Sequence, residues 1–364
     1  MTTDFNNFSS ILQAVRAQYP VNKRFQIACN DFITTVHVNS DTLYQILTQY
    51  FSEFLVHTPS NMPDVTITVH DAPAISLPYA FRMQLPSAPH KKIKHEWIDI
   101  DGGRVLRNRI THMTYLIGST EHCITGPCLE TKNQVVNFIN SRFINHKVNS
   151  GYLLGHGSGV ATQGRGMIIS GNSGAGKSTL ALHMLSSGAM FVSNDRVLIS
   201  KNKQENFYGT IQHPRINPGT ALNNPNLEHI IGSVERARLM RLTAEALWQV
   251  ERKYDALIPH CFGQNRFKPQ APLSAIAVLD WRRDASPMDI SCMNAAESAP
   301  YLAHMMKKND LMHIPLHKGY TEPSIREYIA ALDNTPVFVI RGGVDFANAT
   351  DTLLTFLKTG RTDS

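Results

Sequence analysis

Apolar and polar residues alternate along Phe25 to Cys29 and Phe32 to Val38, a period of two that predicts a pair of strands. Asp41 to Phe54 carries apolar residues at helical spacing, and Val65 to His70 alternates again, so the chain opens on a small α+β unit. The stretch from Asp71 to Pro89 is rich in Pro, Ala and Ser and reads as a long connection. After it, Trp97 to Ile100, Gly103 to Asn108 and Thr114 to Gly118 predict a meander of strands, with Asp101-Gly102 as a hairpin turn. A helix is expected from about Glu130 to Ile144, following Gly126-Pro127. That pair sets the expected boundary, with an amino-terminal α+β domain over 1–126 and a second domain over 127–364.

In the second domain the pattern changes to strand and helix in alternation. Gly166 to Ser170 is a short apolar strand, Lys177 to Ser186 a helix, and Met190 to Ser200 a strand broken by Asn194-Asp195-Arg196. Leu273 to Trp281 and Pro336 to Ile340 are apolar runs suited to buried strands. This is the layout of an α/β nucleotide-binding domain.

Composition adds limits. A chain of 364 residues exceeds the usual span of one core, and 42% apolar with 18% charged residues excludes a disordered chain. The net charge of +6 favours anionic partners, of which phosphate is the simplest. MTTDFNNFSS has no basic then apolar leader, and no run approaches the length of a membrane span, so a cytoplasmic protein with no membrane partner is expected. Five cysteines without a C-x-x-C pair argue against a disulfide framework or zinc ribbon, and His122, Cys123 and Cys128 fall short of the four ligands of a closed site. The basic run His90 to His95 lacks interleaved aromatics and reads as a solvated loop, so no nucleic acid is expected.

Gly171-Asn172-Ser173-Gly174-Ala175-Gly176-Lys177-Ser178 fits the phosphate-loop pattern in full, between a predicted strand and a predicted helix. Backbone N–H groups of this loop would wrap a β-phosphate, Lys177 would reach the β- and γ-phosphates, and Ser178 would hold Mg²⁺; Thr179 closes the nucleotide-binding set. The reading implies ATP and Mg²⁺ as cofactors. Asn202-Lys203-Gln204-Glu205 lacks the final Asp of a guanine reader, and no L-S-G-G-Q string is present. Asp195, eighteen residues after Lys177, is placed to face a γ-phosphate as metal partner or as base for a hydroxyl. His156 lies fifteen residues before Gly171, and a hairpin over Gly157 to Gly166 would return it beside the loop.

These residues resemble the HPr kinase/phosphorylase family, bacterial enzymes that phosphorylate a serine of a small carrier protein. That pattern has His-Gly, the phosphate loop and an Asp-Asp pair at the offsets where this chain has His156-Gly157, Gly171 to Ser178 and Asn194-Asp195. Gly342-Gly343-Val344-Asp345-Phe346 and Pro214-Arg215-Ile216-Asn217-Pro218-Gly219 resemble its HPr-kinase-related kinase B branch. The resemblance implies an α/β P-loop kinase domain of the HPr kinase and phosphoenolpyruvate carboxykinase type, with a smaller α+β domain before it. It makes Asp195 the proton acceptor, beside the metal-partner role read from its position, His156 an active-site histidine, Lys177 the phosphate lysine and Ser178 the Mg²⁺ ligand. Arg215, Arg252 and Arg266 are candidates for a family arginine, with Arg215 expected to hold the acceptor. Asn194 departs from the pattern, as does the lack of an acidic residue over Gly209 to Gly219, and both weaken the case for reverse phosphorolysis. The expected activity is γ-phosphoryl transfer from ATP to a hydroxyl, a serine of a partner protein in the leading reading. A small-molecule kinase and a nucleotide-binding regulatory module are the alternatives. The amino-terminal domain is assigned no chemistry beyond partner recognition or homo-oligomer formation.

Overall fold

The computed structural model describes residues 7–86, 92–202, 206–284 and 286–361, so Ser87 to Lys91 of the connection and basic run, and Lys203 to Glu205 of the guanine-reader comparison, lie outside the described residues. Contacts group the chain into two units, Met1–His146 with Asn309–Leu316, and Lys147–Lys308 with His317–Ser364. The division therefore falls inside the helix Lys132–Asn149, and not at Gly126-Pro127, where a strand ends.

The first unit begins with a helix that the pattern reading passed over, Phe8–Gln18. Asn7 caps it by accepting from the Ser10 N–H at 2.9 Å, and its apolar stripe of Phe8, Ile11, Leu12 and Val15 is buried. The expected strands are present as Lys23–Cys29, Phe32–Val38, Val65–Asp71, His95–Ile100, Gly103–Asn108 and Thr114–Ile117. Glu121–Gly126 and the two-residue Arg82–Met83 complete an eight-stranded sheet. Phe32–Val38, Val65–Asp71 and Glu121–Gly126 run parallel as neighbours, and the rest pair antiparallel. His122 and Cys123 are core positions of Glu121–Gly126, and the Cys128 thiol donates to the His70 carbonyl at 3.3 Å. The Arg142 guanidinium, also buried, donates to the Met312 carbonyl of the returning segment.

Among the described residues of the second unit, three strands are mutually parallel: Arg165–Gly171, Gln270–Leu279 and Val337–Arg341, in that spatial order. Their carboxyl ends lie along one edge, the side on which α/β folds place ligands. Ser158–Thr162 pairs antiparallel with Arg165–Gly171 through the turn Gln163-Gly164, whose φ values of 49° and 77° are left-handed, and Met190–Ser193 extends the sheet beyond it. Leu153–Gly155, Val197–Ile199 and Asn206–Gly209 form an antiparallel branch that joins the early part of Gln270–Leu279. Helices Lys177–Ser186 and Phe346–Thr359 cover one face, burying Leu180, Met184, Leu353 and Leu357 with Ile169 and Ile340. Leu302, Met305, Tyr328 and Leu332 cover the other. The fold is α/β, with a parallel centre and an antiparallel periphery.

Candidate active site

Arg165–Gly171 delivers the chain into the phosphate loop, and Lys177–Ser186 leaves it with Gly176 at the N-cap. Gly171 (φ 141°) and Gly176 (φ 97°) need glycine twice over. A Cβ on Gly171 would stand 2.6 Å from the Leu279 carbonyl oxygen, and one on Gly176 would stand 2.8 Å from the Phe346 ring. Asn172, Ser173 and Gly174 form an exposed apex. The buried Lys177 ammonium donates to the carbonyls of Gly171 and Asn172, both at 2.9 Å, so the loop curls around its own cation. Burial draws the Lys177 pKa below its ordinary value; Asp195 opposes that shift and Lys307 adds to it.

The break between Met190–Ser193 and Val197–Ile199 places Asn194 and Asp195 on different partners. Asn194 Oδ1 accepts from Ser178 Oγ at 2.6 Å and from Ser158 Oγ at 3.1 Å. The residue read as a departure thus sits directly against the serine expected to bind metal. Asp195 has a left-handed backbone (φ 67°), which an aspartate tolerates better than most residues. Its carboxylate lies 3.4 Å from His156 Nε2, 3.0 Å from Lys307 Nζ and 3.7 Å from Arg196 Nε. Burial works to raise the Asp195 pKa, but the hydrogen bond from His156 and the Lys307 and Arg196 cations overcome it, and the carboxyl is held far below the usual range. His156 reaches this position through the expected hairpin, where its carbonyl accepts from Ser170 Oγ at 3.2 Å and its N–H donates to Met305 at 2.7 Å.

The donor set suits a hard divalent cation. Ser178 Oγ and Asn194 Oδ1 are adjacent oxygens and Asp195 follows, the kind of sparse protein ligation that Mg²⁺ accepts when phosphates complete its shell.

Other expected residues are more peripheral. Thr179 Oγ1 meets Thr220 Oγ1 at 2.8 Å, which ties the helix Pro218–Leu222 to the phosphate-loop helix. Arg215, on the short strand preceding Pro218–Leu222, pairs with Asp255 at 3.0 Å. Arg252 pairs with Glu235 at 2.9 Å, and Arg266 donates to the Leu185 and Ala189 carbonyls at 2.6 and 2.7 Å.

Sequence reasoning missed four side chains around the loop. Trp281 Nε1 donates to the Ala175 carbonyl at 2.7 Å, Trp248 lies so close to Gly174 that a Cβ there would meet its ring at 3.0 Å, and the Arg283 guanidinium stacks 3.5 Å from the Trp248 ring centre. Lys307 is the fourth. Trp281 and Arg283 had a signal, since the first ends and the second follows a predicted strand, Leu273 to Trp281, which runs parallel to the loop's own strand; Lys307 had none.

Residues 150–217 match the family described as HPr Serine kinase C-terminal domain. Among solved structures, the HPr(Ser) kinase/phosphatase from Coxiella burnetii is similar at 14% identity, over 57% of this chain and 90% of that chain, with a TM-score of 0.29, an overlay too loose to equate residues. No curated protein is similar enough to match. Residues 150–217 of the second unit are thus similar to the HPr kinase C-terminal domain, a likeness that points to a phosphotransferase. The matched stretch contains His156, the phosphate loop, Asn194, Asp195 and Arg215, and ends before Trp248, Trp281, Arg283 and Lys307.

Proposed function

We propose that this protein is an ATP-dependent kinase that transfers the γ-phosphoryl group to a serine hydroxyl of a partner protein. The observation that carries the reading is the convergence of Lys177, the Ser178–Asn194 pair and the Asp195–His156 pair at the amino end of the phosphate-loop helix. Loop N–H groups and Lys177 bind the β- and γ-phosphates. Ser178 and Asn194 would hold Mg²⁺ with Asp195 next to them, and the ion would supply neutralisation of phosphate charge.

In transfer, the acceptor oxygen forms a bond to the γ-phosphorus while the bond from that phosphorus to the β,γ-bridging oxygen breaks. ADP leaves, and the hydroxyl proton passes to Asp195 and then to solvent. A carboxylate held so far below its ordinary pKa is a weak base, so Asp195 chiefly orients the hydroxyl and takes its proton late, in keeping with a loose transition state. Such a site relies on positioning and phosphate electrostatics. His156 fixes the Asp195 carboxylate from the other side. Arg215 steers an acidic group of the acceptor, exchanging it for Asp255.

A protein acceptor fits the family likeness, and a cytoplasmic setting fits a carrier-protein substrate. No helix among the described residues is long and apolar enough to cross a membrane. Labelled ATP incubated with the purified protein and fractionated cell material tests the reading. Label on serine in the protein fraction, absent with Asp195→Asn, is expected. Label confined to small molecules would end the protein-kinase reading, and no transfer at all would leave a nucleotide-binding module. With the acceptor identified, Arg215→Ala should raise its apparent KM and leave ATP affinity unchanged.

A further inference from the structure

Lys307 comes from a part of the chain 112 residues beyond Asp195, yet its ammonium lies 3.0 Å from that carboxylate. Backbone pairing puts it there. The His156 N–H donates to the Met305 carbonyl at 2.7 Å, and the Lys307 N–H donates to the Leu154 carbonyl at 3.2 Å. Residues 305–307 are therefore laid antiparallel to 154–156, which sets the Lys307 and His156 side chains against the same carboxylate. The Lys307 side chain keeps a quarter of its surface open, at 25%, so its ammonium is neither sealed in the core nor fully solvated. An ammonium carries three donors, and Asp195 occupies one.

Charge explains why a cation is needed at this place. Asp195 would confront an incoming γ-phosphate with a negative charge, and neutral Asn194 beside it does not recruit cations as a carboxylate would. Lys177 is held by the carbonyls of the loop, and Lys307 by the carboxylate of Asp195, the residue proposed to meet the acceptor. We propose that Lys307 is a phosphate-binding residue that contacts the γ-phosphoryl group and makes the site prefer nucleoside triphosphate over diphosphate. This rests on the kinase reading above. It adds a group that lies outside the matched family stretch.

The test is titration calorimetry with Mg-ADP and with a non-hydrolysable Mg-ATP analogue, on the parent and on Lys307→Met, Lys307→Gln and Lys307→Arg. One charge-assisted contact corresponds to about a tenfold to hundredfold loss of affinity. Lys307→Met and Lys307→Gln should lose that much for the triphosphate and bind diphosphate as the parent does, and Lys307→Arg should recover most of the preference. Equal losses for both nucleotides would show a structural role and overturn the proposal, as would no loss at all. The double variant Asp195→Asn with Lys307→Met separates direct contact from charge screening. If it regains full triphosphate affinity, Lys307 acts only by neutralising Asp195, and the contact is refuted. A parent that binds neither nucleotide would overturn the phosphate-loop reading itself, a result distinct from every Lys307 outcome.

Discussion

In the first unit two histidines are closed into the core: His70 is 0% exposed and His122 2%, the latter within reach of the buried Arg142 charge. In the second, the Asp195 side chain keeps 53% of its surface although three basic groups surround it. Both arrangements move pKa values far from their ordinary positions, by opposite means. Burial, against a weaker pull from the Tyr19 backbone, lowers His70 to about 4, and burial with the Arg142 charge lowers His122 well below 6.5. Asp195 is lowered by its partners, which outweigh the partial desolvation that opposes them. Specific charges perturb Asp195 in an accessible place and so mark it as a site candidate, whereas desolvation alone dominates at the two closed histidines and marks packing.

The largest effect that would sharpen this contrast is at Lys177. Lys177→Ala should abolish transfer and weaken Mg-ATP binding by a hundredfold or so, because it removes the point charge around which the loop is wound. Calorimetry giving parental affinity would leave the loop a structural turn. Next come the groups on the reacting side. Asp195→Asn should keep Mg-ATP binding and lower transfer by about a hundredfold or more, and His156→Ala by at least about tenfold, in single-turnover assays. Unchanged turnover in either would make the accessible cluster as inert as the buried one.

Acid breaks the comparison from the other side. The unfolded chain protonates its histidines near 6.5, whereas folded His70 and His313 wait until about 4. Between those values the unfolded state binds more protons, so stability falls as pH falls through the window, by about 3 kcal/mol for His70 alone. Hydrogen exchange at pH 5 should therefore show the first unit loosening first, and His70→Leu should flatten the decline. Asp195 stays ionised throughout, so phosphoryl transfer should survive where the first unit weakens. The smallest effect is at Asn194. Asn194→Asp should tighten Mg²⁺ binding several-fold, since it puts a carboxylate where Ser178 Oγ now donates at 2.6 Å, and a metal titration without tightening would show that Asn194 is no ligand.

What could be read from the sequence follows the range of the interactions. The phosphate loop, its flanking elements and the hairpin that returns His156 depend on neighbours in the chain, and turn and helix chemistry encode them locally. Phe8–Gln18 was equally local, with apolar residues at positions 8, 11, 12 and 15 after Asn7, and went unread. Glu121–Gly126 is short and part polar, and only its place between two strands makes it a strand. Lys307 and the side of the turn on which Asn194 points depend on backbone pairing across long separations, which no period in the sequence carries.

The return of residues 309–316 to the first unit also bears on how the protein is made. At a synthesis rate of about 5–20 residues per second, the segment that caps Arg142 leaves the ribosome roughly ten to thirty seconds after Arg142 itself. During that interval the nascent first unit holds a guanidinium whose eventual acceptor, the Met312 carbonyl, has not yet been translated. That contact forms only after most of the second unit has emerged, so the part of the chain made first receives its last segment late.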